Sequence, residues 1–269
     1  MIAVDDLPSV LSIDIAVPGY RSPYSMRFAT SAAERLAGFD QMPWCVAQAQ
    51  GRVPIDQWYT PSTRSRWGSW GPPARRYPAG PVPARGRPAR ERVLAVAAAL
   101  IGLDYQHHHV PSWSPPAEWP HKPVRSGRRG PGLDCSNYVA FVYSFALGID
   151  LPTGVIAQSE LHRSSTQGSL LPHRVQVVEY ADYDSFVARL EPADILYIRS
   201  DAGVVSHCVL WLGDCGVGPR ATPLIIDCGG SGRVDADRVE IPAGVRIRPY
   251  RRTGWYARNI AYAHRIIPG

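Results

Sequence analysis

With 269 residues, 45% of them hydrophobic, the chain can bury a sizeable core, as one large domain or one domain with an appendage. It contains no run of 18 apolar residues, so nothing reads as a helix that spans a bilayer; five cysteines without a CxxC pair argue against a structural zinc site. The net charge of +6 rests mainly on arginine, clustered in 64–92 and 125–129, and reads first as solvated surface, then as attraction to an anionic polymer, and last as nucleic-acid contact.

The first 20 residues, MIAVDDLPSVLSIDIAVPGY, carry acidic residues and no basic region before Arg21, so they do not read as a secretory signal peptide. Residues 1–88 are heavily punctuated by Pro and Gly and read as an irregular arm, with one short helix at Ser31–Phe39 and a linker at 74–88. Trp67 and Trp70, set among Arg and Gly, are expected to anchor that arm on the rest of the chain rather than line a groove. From Ala89 to Ile101 the pattern is helical: Pro88 precedes it, Val93, Val96, Ala97, Leu100 and Ile101 make one stripe, and Gly102 ends it.

Three consecutive histidines follow at 107–109. Adjacent side chains diverge in any regular structure, so one ion would rarely meet all three, and no metal is expected. The stretch 106–132, rich in Pro and Trp, reads as a long inserted loop that shapes a substrate cleft. Then comes LDCSNYVAFVYSFALGIDL, residues 133–151. Asp134 and Ser136 are helix-starting residues, the apolar positions have helical spacing, and Gly148 is a fitting C-cap. Cys135 therefore falls in the first turn of a buried helix, where the dipole and unpaired N–H groups favour the thiolate; the bland alternative is one more buried cysteine.

Downstream, Gly154–His162 reads as a short helix, Arg174–Tyr180 as a strand and Tyr183–Leu190 as a helix. Asp194–Ile198 (DILYI), Ser206–Leu212 (SHCVLWL) and Pro223–Cys228 (PLIIDC) read as strands, with closing strands at Val245–Tyr250 and Ile260–Ile267. His207 and Asp227 lie on these strands. A thiol nucleophile needs an imidazole to take its proton and a polar group to fix that imidazole, so the order Cys135, His207, Asp227 supplies a complete set. Strand alternation turns Cys208 and Cys228 away from His207 and Asp227, where the two could neighbour each other. Overall the odd number of cysteines fits one free thiol with two disulfides, or five reduced thiols. His264 is a rival imidazole without a residue to orient it, while His121, His162 and His173 are expected at the surface.

The Asp-Cys-Ser helix start, the DILYI strand, the SHCVLWLG strand and the polar end of the next strand resemble the NlpC/p60 family of papain-like cysteine peptidases, over roughly residues 89–267. The resemblance implies an α+β fold with the catalytic Cys at a helix N-terminus packed on an antiparallel sheet, and a peptidase domain at 89–269. It assigns nucleophile, base and orienting residue to Cys135, His207 and Asp227. The Gly102-Leu103-Asp104-Tyr105 turn nominates the Tyr105 hydroxyl for the oxyanion. Asp134, Ser136, Ser206, His107 and Trp113 become candidate substrate contacts. The implied substrate is peptidoglycan stem peptide, often cut between D-glutamate and the diamino acid, without cofactor. The implied location is the bacterial envelope or outside the cell; without a signal peptide, cytoplasmic residence or non-classical export stays open. The sequence departs from the family in the long 106–132 stretch and in Asn137, which stands where Gly is usual. Those departures leave room for amidase, transglutaminase-like or acyltransferase chemistry on a protein or lipid, or for a wall-binding module.

Overall fold

The computed structural model describes residues 19–36, 83–102, 104–105, 132–152, 154–163 and 175–269, with backbone alone at 10–11, 104 and 132–133. In chain order the elements are strands β1 (Val10–Leu11) and β2 (Ser25–Arg27), helices α1 (Ala32–Leu36) and α2 (Gly86–Ala99), strands β3 (Asp104–Tyr105) and β4 (Gly132–Leu133), and helices α3 (Cys135–Leu147) and α4 (Val155–Ser159). There follow β5 (Gln176–Glu179), α5 (Tyr183–Arg189), β6 (Ile195–Arg199), β7 (Val205–Trp211), β8 (Gly216–Val217) and β9 (Leu224–Gly229). The chain closes with β10 (Arg233–Val234), β11 (Glu240–Ile241), β12 (Gly244–Pro249), α6 (Trp255–Arg258) and β13 (Ile260–Arg265). Among the described residues no helix is long and apolar enough to cross a membrane.

The centre is a six-stranded antiparallel sheet in the order β12-β9-β7-β6-β13-β5. Its middle strands are apolar on both sides because both faces are covered. Ile195, Tyr197, Cys208, Leu210, Ile226 and Cys228 face α2 and α3, while Leu196, Ile198, Val209, Trp211 and Ile225 pack with Phe186, Tyr250 and Tyr256 on the other face. The fold is α+β, with the Cys135 helix laid on the strands that carry His207 and Asp227.

Helix α2 begins at Gly86, three residues before the expected start. Pro88 falls in its first turn, where backbone N–H groups have no intrahelical acceptor, so proline is tolerated there. Helix α3 runs as read and closes at Gly148, whose φ of 70° suits a residue without Cβ. Residues 19–36 of the arm pack against the rest of the chain. Strand β2 pairs with β8, Met26 opposite Gly216, and Tyr20, Tyr24, Met26 and Phe28 join the core on the α2 side. Buried Glu91 of α2 accepts the backbone N–H groups of Ala29 and Thr30, each at 2.8 Å, and Arg92 donates to the carbonyls of Ala146 and Arg35. These bonds satisfy polar groups that the arm would otherwise bury unpaired. Trp67, Trp70, linker residues 74–82, Cys45, the histidine run, Trp113, His121 and His173 lie outside the described residues, and the end of the expected linker, 86–88, is the first turn of α2 instead.

Candidate active site

Asp134 is the N-cap of α3. Its Oδ1 accepts the Asn137 N–H at 2.7 Å and the Ser136 hydroxyl at 3.2 Å, and its Oδ2 accepts the Asn137 side-chain amide at 3.0 Å. Asp134 and Ser136, nominated as substrate contacts, are thus buried in the cap that fixes Cys135. Asn137 completes the same cap from the position where the resembled family has Gly. The fixed first turn leaves the Cys135 sulfur at the helix N-terminus, in a residue 6% exposed.

The strand pairing is irregular just before the imidazole. Ile198 of β6 opposes His207, but Arg199 opposes Val205, so Ser206 is an extra residue in β7. Such a bulge re-aims the side chains beside it. His207 Nε2 donates to Asp227 Oδ2 at 2.6 Å, which leaves Nδ1 for the sulfur. The Cys135 thiol engages both the His207 ring and the Cys208 thiol. Cys208 lies on the α3 face, as alternation required, and Cys208, Cys215 and Cys228 are free, like Cys135.

Asp227 is wholly buried and saturated with donors. Besides His207, it takes Arg248 Nε at 2.7 Å on Oδ1 and the Tyr256 hydroxyl at 2.9 Å on Oδ2. Gly229 makes room for that carboxylate, since a Cβ there would stand 2.8 Å from Asp227 Oδ2. Arg248 and Tyr256 were not anticipated from the sequence.

The charges follow from these contacts. The hydrogen bond donated by the Cys208 thiol, followed by the His207 charge and its hydrogen bond, brings the Cys135 pKa down to about 5 against the upward pull of burial. For His207, burial works downward and is outweighed by the Cys135 charge and the Asp227 bond, which raise its pKa to about 10. Burial also works against ionised Asp227, yet Arg248 and then His207 hold it at about 2. Burial pushes Cys208 and Cys228 well up, and Cys215 to about 12. Cys135 is therefore the thiolate among the four described cysteines at neutral pH.

Tyr105 is carried to the same place by β3, which runs parallel to β4 with Tyr105 opposite Leu133, two residues before Cys135. Burial, then the charges of Cys135 and Asp134, keep its hydroxyl protonated. Ser206 is exposed and lines a cleft of about 230 Å³ with His207, Gly229, Gly230, Ser231, Arg233, Trp255 and Tyr256. His107 falls outside the described residues. The rival His264 is fully buried and pairs with His162 at 2.9 Å; burial first, then His162, lower its pKa to about 3. His162 itself is half-buried against this partner and Tyr262 rather than at the surface, because the turn after α4 folds it onto β13.

A pH dependence follows. Cys135 is ionised above about 5 and His207 is cationic below about 10. Amide hydrolysis is expected to hold a plateau between those limits, falling on the acid side as the pair takes a proton and on the alkaline side as the leaving amine loses its acid. Stability conferred by the pair is lost at the same two limits, in acid because the thiol pKa is depressed on folding and in alkali because the imidazole pKa is raised. A kcat/KM profile with one limb near 7 would contradict the ion pair.

No protein-family model matches the sequence, and no curated protein matches it. Among solved structures, the chain is similar to the peptidoglycan hydrolase RipB from Mycobacterium tuberculosis, at 18% identity and a TM-score of 0.42, over 97% of this chain and 96% of that one. It is also similar to the NlpC/p60 domain of the peptidoglycan hydrolase SagA, at 18% identity and a TM-score of 0.37, over 65% of this chain and 96% of that one.

Proposed function

We propose that the protein is a cysteine hydrolase of amide bonds that acts on peptidoglycan stem peptides. The observation that carries the chemistry is the His207 ring bonded through Nε2 to Asp227 while engaging the helix-terminal Cys135 sulfur. The Cys135 thiolate attacks the amide carbonyl carbon, and the oxyanion is held by N–H groups of the first α3 turn and the Tyr105 hydroxyl. Imidazolium His207 gives its proton to the departing nitrogen as the C–N bond breaks, leaving a thioester on Cys135. Water then loses a proton to His207 and attacks the thioester, which releases the carboxylate and regenerates the thiolate. Throughout, Asp227 keeps Nε2 protonated and directs Nδ1 to the sulfur.

The substrate class rests on the resemblance of the Asp134-Cys135-Ser136, Ser206-His207 and Gly102–Tyr105 segments to NlpC/p60 peptidases, and it points to the bond between D-glutamate and the diamino acid and to work at the cell envelope. On this reading the hydrolase domain is 89–269 and follows the N-terminal arm. The test is digestion of purified peptidoglycan with the products read by mass spectrometry. New amine ends on the diamino acid are expected, and prior alkylation of Cys135 with iodoacetamide should remove them. Retention of the polymer without any product would instead indicate a wall-binding module, and mass gained by an acceptor amine a transferase.

A further inference from the structure

The cleft beside His207 holds a second cation that the reaction above does not use. Arg233 of β10 sits with its guanidinium carbon 4.6 Å from the centre of the Trp255 ring and 5.4 Å from that of Tyr256. Both rings belong to α6, and both approach His207, with centroids 6.2 and 6.1 Å away. Stacking on indole fixes the plane of a guanidinium and leaves its edge for a planar anion. Arg233 Nε is buried without a hydrogen-bond partner among the described residues, and one Nη reaches only the Gly232 carbonyl at 3.5 Å. A half-buried arginine rarely leaves a donor unused unless something else completes it.

The surroundings select the charge of what completes it. The residues lining the cleft are Ser206, His207, Gly229, Gly230, Ser231, Arg233, Trp255 and Tyr256, with no carboxylate among them. The nearby Asp227 is already neutralised by Arg248 and His207. Arg233 thus faces a cleft with no lining carboxylate, and the exposed hydroxyls of Ser206 and Ser231 add neutral donors.

We propose that Arg233, stacked on Trp255, is the specificity-determining residue of a carboxylate subsite, and that the preferred substrate carries a free carboxylate beside the amide that Cys135 cuts. The subsite deepens the hydrolase reading and rests on it for the position of the scissile bond. In a peptide joined through the γ-carboxyl of D-glutamate, the α-carboxylate stands next to that bond; D-isoglutamine replaces it with a neutral carboxamide of the same shape. A bidentate guanidinium–carboxylate pair distinguishes the two, because the carboxamide offers one acceptor and turns its N–H groups toward the cation.

The test uses stem tetrapeptides that differ only at this group. Binding is measured by calorimetry on Cys135→Ser protein, and cleavage on protein with Cys135 intact, each with Arg233 and with Arg233→Gln. The D-glutamate peptide should bind about 10-fold tighter than the isoglutamine peptide, with the difference in cleavage appearing in KM rather than kcat. Arg233→Gln should erase the preference by weakening the D-glutamate peptide alone; unchanged affinity for the isoglutamine peptide shows that the cleft is still folded. Equal binding of both peptides, or a preference that survives Arg233→Gln, overturns the subsite. Cleavage without preference leaves the hydrolase standing and the subsite refuted. Preference in binding without cleavage does the reverse.

Discussion

Cys135→Ala is expected to lower amide hydrolysis by at least about 1,000-fold, the scale on which covalent catalysis disappears when its nucleophile is removed. None of the other described thiols can stand in. Cys208 and Cys228 are buried on the α3 face with pKa values pushed well up, and Cys215 lies with Arg87 and Glu91 of α2. The substitution also has a signature that does not depend on any substrate. Much of what raises the His207 pKa is the charge on Cys135; without it, burial pulls the ring down against Asp227 alone. The His207 pKa, followed by NMR of the ring, should drop from about 10 in the protein to a distinctly lower value in Cys135→Ala. An unchanged His207 titration would mean that the two groups are not paired. An unchanged rate of hydrolysis would place the nucleophile elsewhere.

The residues of this site were legible to the extent that each sat on a strongly patterned element. The Asp-Cys-Ser start, the helical spacing after it and Gly148 were enough to put Cys135 in a first turn, and that turn is capped by Asp134. Alternation along β7 and β9 assigned His207 and Asp227 to one face and Cys208 and Cys228 to the other, and both cysteines lie in the cluster on the α3 side. Alternation alone, however, would keep His207 from a sulfur on the α3 side. His207 nevertheless engages the Cys135 sulfur. The extra residue at Ser206 beside it was not legible either, because an ordinary serine gives no sign of a bulge and the slip is set by pairing with β6. Tyr256 was missed because α6 is four residues long, too short for any periodicity to register. Arg248 left a trace. In Val245-Arg246-Ile247-Arg248 two arginines share one face of a strand that closes a buried sheet, and long cations are buried only with a partner. The contacts of residues 29–35 were not legible in their own stretch, because the groups that hold Ala29, Thr30 and Arg35 are Glu91 and Arg92 on α2.

Asp227→Asn should damage stability and catalysis together, through different bonds. The carboxylate receives three donors, His207 Nε2–H, the Tyr256 hydroxyl and Arg248 Nε–H. An amide of the same shape has one oxygen, so its NH2 must face at least one of those donors. Arg248 is fully buried, and its ion pair with Asp227 is the one that the substitution removes. A buried charge left without its counter-ion costs about 3–5 kcal/mol, so chemical denaturation should find the variant less stable by that order. Turnover should fall by roughly 100-fold or more, because the ring loses both the anion that steadies its charge and the acceptor that holds Nε2 protonated. The two effects separate in Asp227→Asn combined with Arg248→Met. Removing both charges lifts the penalty of an unpaired cation, so stability should return toward that of the original protein while hydrolysis stays low. The original protein carries its own control in acid. The folded Asp227 pKa of about 2 lies below the ordinary carboxylate value, so its contribution is complete above about pH 4 and is lost as pH falls through 2. A denaturation series between those values should show stability dropping in the protein with Asp227 and a shallower drop in the double variant. Equal slopes would mean that the Asp227–Arg248 pair does not hold the orienting carboxylate in its ionised form.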